Sequence, residues 1–354
     1  MKTIWLAAVA GSVCAAASAQ TAVMTHAELQ SVDSTGYTAW VESPTSFPFA
    51  IRGVILNDPE EMLDPAFNPA ATTPPTGGQF QLFIQTIEAD DRGGTALYMA
   101  QRSVLGDHYG EAAWSNEMRR VMYDAAGRKF RKGDLVEVTA RKAVFYNGKR
   151  NVNEAHRTTV SNDFDVVLVQ ANAGLPQAEA IALTKLKNPD DSAIFDETRE
   201  TGGEHWQGMR VRIDGIRLAD TNGWGQAAWS NRTCIAVDAT GRTLALRMPL
   251  TDLGEPKSTS TYFSAVGILN QESTNWIGHY ELFVQEISPE LDFVRTSSGG
   301  MAARFPADYE GYVLECSDDG MATWTNVDAL PAKTILIEDA GAPTNRAYRL
   351  RKAD

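Results

Sequence analysis

One seven-residue block occurs twice in this chain, and it limits the architecture more than any other feature. Gly110-Glu111-Ala112-Ala113-Trp114-Ser115-Asn116 returns as Gly225-Gln226-Ala227-Ala228-Trp229-Ser230-Asn231, differing only at Glu111 and Gln226. Each copy runs on into a segment read as alternating, which ends in Asp-Ala-x-Gly-Arg: Asp124-Ala125-Ala126-Gly127-Arg128, then Asp238-Ala239-Thr240-Gly241-Arg242. Trp114 to Trp229 is a step of 115 residues, and Asp124 to Asp238 a step of 114. A step this long implies a duplicated domain, not a solenoid repeat. It places Trp114 and Trp229 at equivalent positions of two like units, each tryptophan packing a barrel end.

The first residues have a different logic. Met1-Lys2, an apolar run from Thr3 to Ala17 and Ala17-Ser18-Ala19 before Gln20 have the form of a secretory leader cleaved after Ala19. Val13 before Cys14 is a poor fit to a lipoprotein site. No later apolar run approaches the ~20 residues of a membrane span. The expected location is extracytoplasmic, periplasmic or secreted. Losing Lys2 takes the formal net charge from −13 to −14, which repels polyanions from most of the surface. Cys234 and Cys316 remain; two buried free thiols is the favoured reading, a disulfide the alternative that an oxidising compartment permits.

Along the chain, Thr25-His26-Ala27-Glu28 has capping-box spacing for one helical turn. Phe49 to Leu56 reads as the first strand. A proline-rich excursion follows (Pro59, Pro65, Pro69, Pro74, Pro75), then strands at Phe80–Gln85 and Thr95–Ala100. Leu135–Ala140 is another strand, and Val144–Val152 a hairpin turning at Asn147-Gly148, a pair that readily adopts the left-handed geometry of a type I′ turn. Phe164–Val169 closes the unit. Ala178–Lys187 has helical propensity up to Asn188-Pro189. A second series of strands then begins at Met209 and ends at Gln285. Short strands near Tyr312–Cys316, Thr334–Ile337 and Ala347–Leu350 suggest a small β-module packed on the second unit.

The fold class expected is all-β: two OB-like Greek-key barrels in tandem by internal duplication, plus a C-terminal β-module. The divisions are a leader over 1–19, barrel 1 with its proline-rich insertion over 20–170, a partly helical connector over 171–205, barrel 2 over 206–292 and the β-module over 293–354. Lys132-Gly133-Asp134-Leu135-Val136-Glu137-Val138-Thr139, the Phe145-Tyr146-Asn147-Gly148 hairpin, Leu175-Pro176 and Trp206-Gln207-Gly208-Met209-Arg210-Val211 resemble the OB-like domains that accompany secreted bacterial endonucleases, over roughly residues 45 to 290. The resemblance implies a barrel fold and a secreted nuclease as a partner; no nuclease domain is read in the chain itself.

No catalytic pattern emerges. His26, His108, His156, His205 and His279 read as scattered surface residues, with no His-Glu-x-x-His helix, no Gly-x-Ser-x-Gly elbow and no phosphate-cradling loop. The protein is therefore read as not an enzyme and as holding no cofactor. Calcium is the alternative, at the acidic loops Asp58/Glu60/Glu61/Asp64, Glu88/Asp90/Asp91 and Asp190/Asp191.

One segment opposes the global charge. Arg119 to Arg157 holds eleven basic residues against four acids, a balance of +7, with Tyr123, Phe130, Phe145 and Tyr146 interleaved. OB-folds bind single strands with a basic groove and aromatic platforms. The candidate ligand-binding residues are Arg141, Lys142, Phe145, Tyr146, Lys149 and Arg150, with Arg128 and Lys129. In this reading barrel 1 engages an anionic polymer, single-stranded nucleic acid or an acidic polysaccharide. In the competing reading these are solvent faces neutralised by the acidic 58–64 loop, and the protein is a structural or adhesive envelope protein with barrels as spacers. A hydrolase accessory role is the third.

Overall fold

The computed structural model describes residues 21–43, 45–64, 78–101, 109–153, 164–224, 232–249, 253, 259–290, 292–295, 301–304, 312–318, 321–326, 334–337 and 347–352. The leader and Trp229 lie outside them. The chain is all-β, with two barrels and a set of C-terminal strands. No helix among the described residues is long and apolar enough to cross a membrane.

Barrel 1 begins after a one-turn helix α1 (His26–Leu29), whose cap is the expected one: Thr25 Oγ1 accepts from Glu28 N at 3.1 Å. Its strands are β1 (Phe49–Ile55), β2 (Gln79–Gln85) and β3 (Gly94–Ala100), then α2 (Glu111–Met122), β4 (Leu135–Ala140), β5 (Ala143–Tyr146), β6 (Lys149–Asn153) and β7 (Phe164–Gln170). The sheet order is β5-β6-β3-β2-β1-β4-β7. β4 and β5 are two halves of one strand, broken at Arg141-Lys142. β6 and β7 are likewise the halves of its partner, since the register passes from Ala143↔Val152 on β5 to Ala140↔Phe164 on β4.

The second barrel is simpler. β8 (Glu179–Ile181) leads in beside β9 (Arg210–Leu218). Then follow β10 (Thr233–Asp238), β11 (Thr243–Arg247), β12 (Phe263–Gln271) and β13 (Tyr280–Pro289). The order β9-β10-β11-β13-β12 closes through β12 onto β9. The first strand pairs antiparallel with the fourth and the third parallel with the fifth in both barrels, the Greek-key arrangement of an OB barrel. The C-terminal strands form two separate three-stranded sheets. One holds Asp292–Arg295, Met301–Arg304 and Thr334–Ile337; the other holds Thr325–Asn326, Tyr312–Ser317 and Ala347–Lys352.

Three expectations are corrected. The segment after Trp114 is helical, not alternating: Trp114, Val121 and Met122 are buried on one face of α2, with Met118 packed beside them. The repeat also does not mark equivalent positions. Asp124–Arg128 lies between the third and fourth strands of its barrel, whereas Asp238–Arg242 turns between the second and third strands of the other. The Asp-Ala-x-Gly-Arg turns, however, are alike in detail. Asp124 Oδ1 accepts from Ala126 N (2.9 Å) and Arg128 N (2.8 Å), and Asp238 Oδ1 from Thr240 N (2.8 Å) and Arg242 N (3.0 Å). Gly127 and Gly241 sit at φ +81° and +84°. The Asp-Ala-x-Gly-Arg part of the repeat is thus a local turn used twice. Within Ala178–Lys187, Glu179–Ile181 is a strand because Val211–Ile213 offers a parallel edge, and only Leu183–Lys185 makes a 3-10 turn; tertiary pairing overrides helix propensity there, while a second helical turn of the connector forms at Gly202–His205.

The barrels pack directly on one another. Leu56, Met62, Phe83 and Ala96 of the first join Ile268 and Phe283 of the second in a shared apolar cluster, with the two phenylalanine rings 5.7 Å apart. Cys234 and Cys316 are free thiols; Cys234 is buried as expected, but Cys316 is only partly so.

Candidate binding surface

The Asn147-Gly148 turn is where the barrels meet. Both residues have positive φ (51° and 92°), the geometry expected of an Asn-Gly hairpin. The turn does not project into solvent. Ser273 N donates to Asn147 O (2.8 Å), Asn147 Nδ2 donates to Glu272 Oε2 (3.1 Å), and Gln207 Nε2 donates to Gly148 O (3.1 Å). A Cβ at Gly148 would lie 2.5 Å from the Gln271 side chain. The β5–β6 loop of barrel 1 therefore seats itself in the β12–β13 loop of barrel 2, the corresponding loop of the other unit.

This docking decides the fate of the candidate cations. Lys149 is 4% exposed and donates to Gln271 O (2.7 Å) and Glu272 Oε1 (2.5 Å). Burial works against ionisation of Glu272, but the Lys149 ammonium outweighs it and holds that carboxyl below the ordinary range. Arg150 is 5% exposed. Its guanidinium lies 4.4 Å from the Trp40 ring centroid and donates to Thr38 Oγ1 (2.9 Å) and Trp40 O (3.3 Å). Both side chains hold the fold together and do not face a groove.

The remaining candidates are paired on the surface. Arg141 pairs with Asp165, and Lys142 lies 4.0 Å from Glu42. Arg128 grips Asp134 with two bonds (2.7 and 2.8 Å). Burial of Asp134 opposes its charge, but Arg128 and the N–H groups of Asn172 and Arg131 prevail, so its carboxyl sits below the usual range. Lys129 and Arg131 share Glu60, and Lys132 pairs with Glu61 (3.3 Å). The acidic 58–64 loop thus spends its charge on the basic segment. Among the described residues no group of three or more His, Cys, Asp or Glu is placed to hold a metal ion. The acidic loops are engaged internally: Asp91 accepts from His26 N and Ala27 N, and Asp191 from Thr243 N. His26, read as a surface residue, is instead fully buried, with Nε2 donating to Arg52 O (2.9 Å).

Phe145 and Tyr146 point to opposite faces of their hairpin, as successive strand residues must. Tyr146 is 51% exposed on one face. On the other, Phe145 meets Tyr37 edge-on (centroids 5.0 Å, 74°), and Tyr37 packs on Trp276 (4.6 Å, 55°). Tyr37 is 44% and Trp276 37% exposed. Three segments build this row: the turn over 33–38, the β5–β6 hairpin and the β12–β13 loop. Trp276 holds φ +68°, a conformation that costs a bulky residue about 1–3 kcal/mol unless its surroundings enforce it. Here they do: Trp276 N donates to Ser273 O (3.1 Å), and Gln271 Nε2 donates to Trp276 O (2.9 Å). Nothing in the sequence singles out Tyr37 or Trp276, since neither stands in a motif. Elsewhere, a cleft of about 950 Å³ opens beside α2, lined by Ser115, Asn116, Met118, Arg119, Tyr123 and Val166.

No family model and no curated protein matches the sequence.

Proposed function

We propose that this is a non-catalytic extracytoplasmic protein whose tandem barrels act as one stiff structural or adhesive scaffold. The observation that carries the reading is the Asn147-Gly148 hairpin, whose two following cations are buried as fasteners and not displayed. Lys149 joins the barrels through Gln271 and Glu272, and Arg150 binds the N-terminal segment through Trp40 and Thr38. A polyanion site needs solvent-facing cations along one groove. The arrangement instead favours a body with closed seams.

Salt titration separates the scaffold from the anionic-polymer reading. The full chain should show no salt-dependent binding of single-stranded DNA or heparin between 50 and 200 mM salt. A steep fall in affinity over that range is the signature of phosphate contacts. It would return single-stranded nucleic acid or an acidic polysaccharide to first place, with the exposed Arg119 on α2 as the place to look.

A further inference from the structure

The aromatic row at the barrel junction is unused by the scaffold reading, and its chemistry is specific. Tyr37, Phe145 and Trp276 come from three separate stretches of chain and meet in one continuous row. Centroid spacings of 4.6 and 5.0 Å leave no room for a guest between the rings, so this is not a cage for a cation. What remains is the outer side of the row, where Tyr37 and Trp276 are exposed. Backbone hydrogen bonds already hold Trp276 at its positive φ, so little freedom is left to lose on binding.

The surroundings select the ligand. The nearest cations are committed: Lys149 to Glu272, Arg150 to Trp40 and Thr38, and Lys142 towards Glu42. Asp33 adds a negative charge at the rim, where Thr35 donates to it through both hydroxyl (2.6 Å) and N–H (2.8 Å). Phosphate or sulfate would be repelled. Close in the chain to Tyr37 and Trp276, the exposed Ser34, Thr35, Thr274 and Asn275 carry hydroxyl and amide groups, which suit sugar hydroxyls. A pyranose whose substituents are all equatorial has flat faces of C–H groups that lie well on an aromatic ring.

From this geometry we infer that the Tyr37–Phe145–Trp276 row is a stacking platform for a neutral β-linked glycan. The site stands whether or not the barrels serve as a scaffold, because it needs only the junction to be formed.

The test is affinity electrophoresis of the full chain in gels containing laminarin or hydroxyethylcellulose, with dextran sulfate as the anionic control. Retardation is expected in at least one neutral gel and should persist in 0.5 M NaCl. Trp276→Gly should weaken it at least tenfold while circular dichroism stays native, because glycine adopts the backbone angle that tryptophan holds under constraint. Should that variant unfold, Tyr37→Ala supplies the same reading from the other side of the row. Migration unchanged in both neutral gels would overturn the inference. So would retardation that survives both substitutions, or retardation by dextran sulfate alone.

Discussion

Gly94 and Gly208 meet backbone to backbone across the junction of the two barrels. A Cβ on Gly94 would fall 2.0 Å from the Gly208 carbonyl oxygen, and one on Gly208 would fall 2.5 Å from Gly94. Gly94 N also donates to Gln207 O (3.1 Å). The barrels approach this closely only because neither position carries a side chain.

Gly94→Ala should therefore push the barrels apart. Overpacking a fitted seam costs about 1–3 kcal/mol, and the midpoint of urea unfolding should drop accordingly. Gly110→Ala is the control, since nothing lies within 4 Å of a Cβ there. Equal midpoints for the two variants would show that the seam is not closed in solution.

Lys149 and Glu272 provide a second measure of the same seam. Removing one member of a largely buried pair leaves the other charge without its partner, whereas removing both does not. Lys149→Met is expected to cost about 2–3 kcal/mol in chemical denaturation. The double variant with Glu272→Gln should recover at least a third of that loss. Lys149→Met within 0.5 kcal/mol of wild type would mean the hairpin is not docked.

How far the sequence reveals this arrangement depends on the range of the interaction. Phe49–Ile55 is readable because a strand buried on both faces carries almost continuous apolar residues, and Gln79–Gln85 because its apolar centre Leu82–Ile84 is flanked by alternating Gln and Phe. The Asn147-Gly148 turn was readable because its backbone geometry is a property of two adjacent residues. The helix α2 is also legible in the sequence: Trp114, Met118, Val121 and Met122 recur at helical spacing. Lys149 and Arg150 looked like surface cations because their partners, Glu272 and Trp40, lie far off in the chain. A local charge count cannot tell a displayed lysine from one buried against a distant carboxylate. Tyr37 and Trp276 pose the same difficulty, since each is an ordinary loop aromatic until the fold brings them together.

The Cys234 thiol should resist alkylating reagents in the native protein. Burial pushes the Cys234 thiol up to about 11, with Asp220 adding to the effect, and its side chain is 1% exposed. Only the thiolate is nucleophilic. At pH 8 iodoacetamide should leave Cys234 intact in the native protein and modify it once urea unfolds the chain, as read by peptide mapping. Modification of Cys234 under native conditions at a rate like that of a free peptide thiol would contradict its place in the barrel 2 core.

Glu204 sets a pH dependence of opposite sign to that of an ordinary salt-bridged carboxylate. It lies in α3 (Gly202–His205), is 2% exposed, and neither carboxylate oxygen meets a donor in good hydrogen-bond geometry. Burial raises its pKa above the ordinary 4.5, and the nearby Tyr280 phenol and Arg199 guanidinium offset only part of that. In acid below 4.5 the group is protonated in both folded and unfolded chains and costs nothing. As the pH rises past that value the unfolded chain releases its proton first. Stability then falls until the folded-state pKa is passed, and stays lower above it. Glu204→Gln keeps the shape and removes the ionisation. The variant should match wild type near pH 4 and be the more stable of the two at pH 8, each from urea unfolding curves. A variant that is instead less stable at pH 8 would show that Glu204 is ionised in the fold and paired with Arg199.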